Sequence, residues 1–79
     1  MAEIGDYVIA KRADTKMNIE GVLSRRNVDE NKTIVVEGKE EAYVCEGGDN
    51  VIVINDKDLS LEIQEHIRNV RQRLDLPAT

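Results

Sequence analysis

Residues 42–54 constrain the fold most. Ala42-Tyr43-Val44-Cys45-Glu46 and Val51-Ile52-Val53-Ile54 are short apolar, β-branched runs on either side of Gly47-Gly48-Asp49-Asn50. A glycine pair supplies the positive φ angles of a tight reversal, so the stretch reads as a β-hairpin. The turn can centre on Gly47-Gly48 or on Gly48-Asp49, and the choice shifts the cross-strand register by one residue.

Upstream, Tyr7-Val8-Ile9-Ala10-Lys11-Arg12 alternates with period two and predicts a first strand. Residues 13–18 are polar and read as a loop. Ile19-Glu20-Gly21-Val22-Leu23-Ser24 predicts a second strand, with Gly21 marking a bulge, a sharp bend or the close approach of another backbone. The Asn, Asp and Glu residues of 27–32 are turn chemistry, and Thr33-Ile34-Val35-Val36-Glu37 follows as a third strand.

From Leu59 the period becomes helical. Leu59, Ile63, Ile67, Val70 and Leu74 are spaced 4, 4, 3 and 4 apart, which places them on one stripe at about 100° per residue. Asp58 or Ser60 can cap the start. Glu62 and Glu65 come early and Arg68, Arg71 and Arg73 late, the order the helix dipole favours. Pro77 marks the end. A helix over 59–75 would be roughly 25 Å long, more than one face of a five-strand sheet covers. Either the last turns fray, or Val70, Leu74 and Leu76 pack against a second chain as a homodimer. The expected fold is β with one C-terminal α-helix: a small five-stranded antiparallel barrel or strongly bent sheet over about 4–55, and a helix over about 59–75, in one domain.

With 79 residues, 41% hydrophobic and lacking Phe and Trp, the chain has an aliphatic core too small for a large buried cleft. Cys45 is the only cysteine, so no intramolecular disulfide or thiolate metal site forms from it, and a reducing cytosol fits. No apolar run approaches the roughly 18 residues of a membrane span, and the start has no leader-like pattern, so a cytoplasmic protein without membrane contact is expected.

The net charge of −5 is unevenly placed. Residues 37–65 hold nine acids against two bases, giving −7, and the remainder holds seven acids against nine bases, giving +2. That asymmetry favours a basic partner over nucleic acid. The acids Glu37, Glu40, Glu41, Glu46, Asp49, Asp56, Asp58 and Glu62 are the candidate surface for a basic protein, including one that binds DNA. Imitation of a nucleic-acid backbone would draw on loop acids, because no strand carries carboxylates at i and i+2, which share a face about 6.7 Å apart. Small acidic inhibitors of viral type resemble this chain in size and charge.

Catalytic patterns are missing. Gly47-Gly48 belongs to neither phosphate-loop motif, and no Ser or Cys stands in a nucleophile motif with a histidine. His66, the only histidine, reads as a boundary or salt-bridged residue, and Cys45 as a small apolar one. Asp56-Lys57-Asp58 lacks the ligand series of a calcium loop and suits helix capping. No enzyme, metal or cofactor is expected.

Ile4-Gly5-Asp6-Tyr7-Val8, Glu20-Gly21-Val22-Leu23 and Thr33-Ile34-Val35-Val36 resemble, in order and spacing, the opening of KOW-type SH3-like barrels. The resemblance covers residues 4–36. It implies a bent five-strand barrel that binds RNA, ribosomes or transcription proteins. On this chain such a surface would use Lys11, Arg12, Lys16, Arg25, Arg26 and the late-helix arginines. The family's glycine-rich first loop is replaced here by residues 13–18, and the C-terminal helix lies outside the pattern.

Overall fold

A computed structural model describes residues 2–77. Five strands, β1 (Tyr7–Lys11), β2 (Asn18–Arg26), β3 (Ile34–Glu37), β4 (Ala42–Cys45) and β5 (Ile52–Val53), precede one helix, α1 (Leu61–Arg73). All the strands pair antiparallel in a single sheet of order β4-β3-β2-β1-β5. The sheet bends until Arg12, just past β1, forms a bridge with Cys45 of β4, where Glu46 N–H donates to the Lys11 carbonyl at 2.8 Å. Pairing stops there and the sheet does not close.

The expected hairpin over 42–54 does not form. β4 and β5 lie on opposite edges of the sheet, and the glycine-containing segment between them is a 3-10 turn, Gly48–Asn50, in which only Gly48 takes a positive φ, +79°. Two glycines permit a reversal but do not enforce one; the deciding factor is the free edge of β1. Val8 and Ala10 are buried, so the backbone groups of β1 need partners on both sides. β5 supplies them: Val8 pairs with Val53, Ile9 with Ile52, and Ile54 N–H donates to the Tyr7 carbonyl at 2.9 Å.

Both faces of the sheet are covered near its centre. Inside the bend, Val8, Ala10, Leu23, Ile34, Val36 and Cys45 form one core with Ala2. On the other face Tyr7 and Val22 meet Ile67 and Val70 of α1, with Ile54, Leu59, Ile63 and Leu74 packed around them. Alternation along β1 therefore sends Tyr7 to the helix and Val8 to the bend, and both are buried. Gly21 is the place of close approach: a Cβ built there would lie 2.5 Å from the Glu37 carbonyl oxygen. The bulge sits instead at Ser24, between the Leu23–Val36 and Arg25–Val35 pairs, where the Ser24 hydroxyl donates to the Val35 carbonyl at 3.3 Å.

Ser60 caps α1, its hydroxyl accepting from Ile63 N–H at 3.2 Å. Asp56–Asp58 forms a separate 3-10 turn. At the other end Asp75 adopts φ +59°, Leu76 N–H donates to the Arg71 carbonyl at 2.8 Å and Asp75 N–H to the Gln72 carbonyl at 3.1 Å. This paired closure stops the helix before Pro77 is reached. The surplus length is taken up within the chain. Val70 is buried in the core under α1, Leu74 packs beside it, and Leu76 is half-buried over Gly5, whose carbonyl accepts from Arg71 Nε at 2.9 Å.

Candidate protein-binding surface

Folding pairs off much of the acidic middle. Of the eight candidate acids, Glu37 meets Arg73 at 2.5 Å, Asp56 meets Arg71 at 3.8 Å, Glu46 pairs with Lys16 and Glu62 with Lys39. Hydrogen bonds from these lysines hold the Glu46 and Glu62 carboxyls below the usual carboxylate range. Exposed pairs of this kind add only about 0–1 kcal/mol each to stability, but they cancel charge at the surface.

Four of the eight, Glu40, Glu41, Asp49 and Asp58, form no ion pair among the described residues, and all four are exposed. They are not one patch. Asp49 lines a cavity with Arg26 and Lys32, where the neighbouring charge is positive, and Asp58 sits in the 3-10 turn before α1. Glu40 and Glu41 lie on the β3–β4 turn, which Gly38 N–H closes by donating to the Glu41 carbonyl at 2.9 Å.

That turn overhangs the helix. His66 places its Nε2 3.0 Å from the Glu37 carbonyl oxygen and the Arg73 guanidinium holds the Glu37 carboxylate, so α1 fixes the end of β3 from which the turn springs. Between the turn and the start of α1 runs an open groove of about 450 Å³, lined among others by Tyr7, Tyr43, Glu20, Glu40, Glu62 and Ile63. The chain has two tyrosines and no Phe or Trp, and both tyrosines are on this groove together with His66.

Tyr7 donates its hydroxyl proton to Glu20 at 3.3 Å; burial first, and then the Glu20 charge, raise its pKa. Tyr43 donates to Glu41 at 2.8 Å, and that hydrogen bond is the main cause of its raised pKa. Glu20 was absent from the candidate acids because it lies outside 37–65. Its signal was strand parity: it stands two residues before Val22, on the face Val22 shares with its pairing partner Tyr7.

The basic candidates are dispersed as well. Arg12 is clamped by Asp14 through two contacts of 3.0 and 2.9 Å, and its guanidinium lies 5.0 Å from the centre of the Tyr43 ring. Lys16, Arg71 and Arg73 are paired with acids, and the Arg26 guanidinium donates to the Ala2 carbonyl. Lys11, Arg25 and Arg68 are exposed and form no ion pair among the described residues.

Cys45 is fully buried in the core inside the bend, and burial pushes its thiol pKa up. His66 stands on the helix side, away from that core. Among the described residues no group of three or more His, Cys, Asp or Glu side chains converges as metal ligands, and no helix is long and apolar enough to cross a membrane. No family model, no curated protein and no solved structure matches the chain.

Proposed function

We propose that this chain is a non-enzymatic protein–protein interaction module that binds a basic protein, DNA-binding proteins included, through the carboxylates around the β3–β4 turn. One observation carries the reading. Once the internal ion pairs are formed, Glu40 and Glu41 stay exposed on a turn held in place by α1; of the two basic side chains lining the groove beside them, Lys39 is already paired with Glu62 and His66 is engaged with the Glu37 carbonyl. A fixed negative edge of this kind steers and orients a cationic partner.

Imitation of a nucleic-acid backbone is a narrower form of the same reading. It draws on Glu40, Glu41, Asp49 and Asp58, and it requires the partner to lose DNA when this chain binds. Self-association through Val70, Leu74 and Leu76 has no part in the proposal, because all three pack within the chain's own fold. A second reading is supported by the cations that have no carboxylate partner among the described residues, Lys11, Arg25 and Arg68, and by the KOW-type resemblance of residues 4–36. In it the module contacts RNA or the transcription and translation machinery.

Titration calorimetry against a basic DNA-binding protein, duplex DNA and RNA, each at low and moderate salt, tests these readings together. A salt-sensitive complex with the basic protein, weakened about tenfold in the Glu40→Lys, Glu41→Lys double variant with folding intact, is the expected result. Binding to nucleic acid alone, or an affinity unchanged in the double variant, overturns it.

A further inference from the structure

Resting on the reading that the partner is a basic protein, we propose that an arginine side chain of that partner enters the groove between the β3–β4 turn and α1. There its guanidinium stacks against Tyr43 and is held by Glu20 and Glu40, with the buried Tyr7 ring flooring the groove.

The groove combines the two chemistries that recognise a guanidinium. Aromatic rings attract a cation through their quadrupole, and carboxylates accept its paired N–H donors. Among the groove-lining side chains Glu20, Glu40 and Glu62 face Lys39 and His66, giving a formal charge of −2 with the histidine counted neutral. Lys39 is paired with Glu62, which leaves Glu20 and Glu40 without an ion-pair partner among the described residues. Both are exposed, so a guanidinium reaches them without the cost of a buried lone charge. A volume of about 450 Å³ falls within the range of about 300–1,000 Å³ that small-group pockets occupy.

The molecule already contains an arrangement of this kind. Arg12 lies over the Tyr43 ring at 5.0 Å while Asp14 accepts two of its N–H groups. Tyr43 lines both the cavity beside Arg12 and the groove beside Tyr7, so the proposed contact repeats the Arg12 arrangement in the neighbouring space. Arginine fits better than lysine because its planar, weakly hydrated guanidinium can stack and form a two-point carboxylate contact together. A phosphate or carboxylate ligand is disfavoured by the groove's charge.

The test uses the full chain and the tripeptide Gly-Arg-Gly, blocked at both ends, with the lysine and citrulline tripeptides as comparators. The chain has no Phe or Trp, and Tyr7, Tyr43 and its one histidine, His66, all line the groove, so their ring proton resonances report its occupancy directly. Saturable shifts with the arginine peptide, about tenfold weaker with lysine and lost with citrulline, are expected. Glu20→Gln and Glu40→Gln should each weaken binding about fivefold, and Asp49→Asn, an equal charge change in another cavity, should leave it unaltered.

Equal shifts with arginine and citrulline, or no saturation, overturn the inference. The same variants are then measured against the basic protein. If it binds and Glu20→Gln and Glu40→Gln weaken it no more than Asp49→Asn, the groove assignment is wrong and the interaction reading stands. If the basic protein does not bind at all while the arginine peptide saturates the groove, the interaction reading fails and the groove assignment survives.

Discussion

Replacing Gly21 by alanine probes the closest contact in the sheet. The added Cβ would lie 2.5 Å from the Glu37 carbonyl oxygen, 2.7 Å from its carbon and 2.7 Å from Val36 Cγ1. Two of these three atoms are backbone, so relief requires β2 and β3 to separate. That movement is resisted by the Val22–Glu37 and Leu23–Val36 pairs, and from the helix side by His66 and Arg73, which hold the carbonyl and the carboxylate of Glu37. Forcing a methyl group into a packed site costs about 3 kcal/mol, and the lower unfolded-state entropy of alanine returns about 0.5–1 kcal/mol. The net loss should be about 2–3 kcal/mol. A chain of 79 residues has roughly 4–12 kcal/mol of stability, so the variant sits near the edge of folding, with a melting temperature lower by roughly 10–20 °C. Urea denaturation followed by far-ultraviolet circular dichroism measures this. Gly48→Ala serves as the control: it has φ +79° but no neighbouring atom within 4 Å, so it should cost only about 1 kcal/mol. A Gly21→Ala loss below about 0.5 kcal/mol, or one no larger than that of Gly48→Ala, would refute the steric account.

Two further outcomes follow from the ends of elements. Asp75 holds a left-handed conformation at the close of α1, so Asp75→Gly should raise stability by about 1 kcal/mol in the same denaturation assay, and a loss would mean that the aspartate has another task. Asp29 accepts from the Thr33 hydroxyl at 2.7 Å and from Thr33 N–H at 3.0 Å, and these bonds lower its pKa in the folded state. The charge therefore stabilises the fold above the unfolded pKa of about 3.9, and the contribution disappears as pH falls through the lower, folded value. The stability gap between the wild type and Asp29→Asn should accordingly close below about pH 4; a gap unchanged from neutral pH into the acid range would remove Asp29 from the pH response.

Local pattern located most of the elements. Period-two alternation found the strands, and the stripe from Leu59 to Leu74 found the helix, because each signal is carried by residues adjacent in the chain. What failed was pairing. The runs around Gly47-Gly48 look like a hairpin because a local reading cannot see that β1 has a free edge; that is known only once Val8 and Ala10 are buried. The helix end was misassigned to Pro77 for a related reason, since an aspartate at a left-handed position leaves no mark in composition. At the surface, a tally of charge along the chain identified the acids but not which ones folding neutralises. Arg73 reaches Glu37 and Lys16 reaches Glu46 across long stretches of sequence, whereas Glu20 joins the groove from the part of the chain whose net charge is positive.

The position of β1 bears on how the protein is made. Its two neighbours in the sheet are β2, which follows it, and β5, the last of the strands among the described residues. As a ribosome releases the polypeptide, β1 to β4 can emerge and associate while one side of β1 still has nothing to bond to. Only after residues 52 and 53 clear the exit tunnel can that side be satisfied, and only later still can the helix cover Tyr7 and Val22. From the moment β1 emerges until residues 52 and 53 follow it, the nascent chain thus carries a sticky, half-finished margin, the interval in which crowding with its own copies is most hazardous.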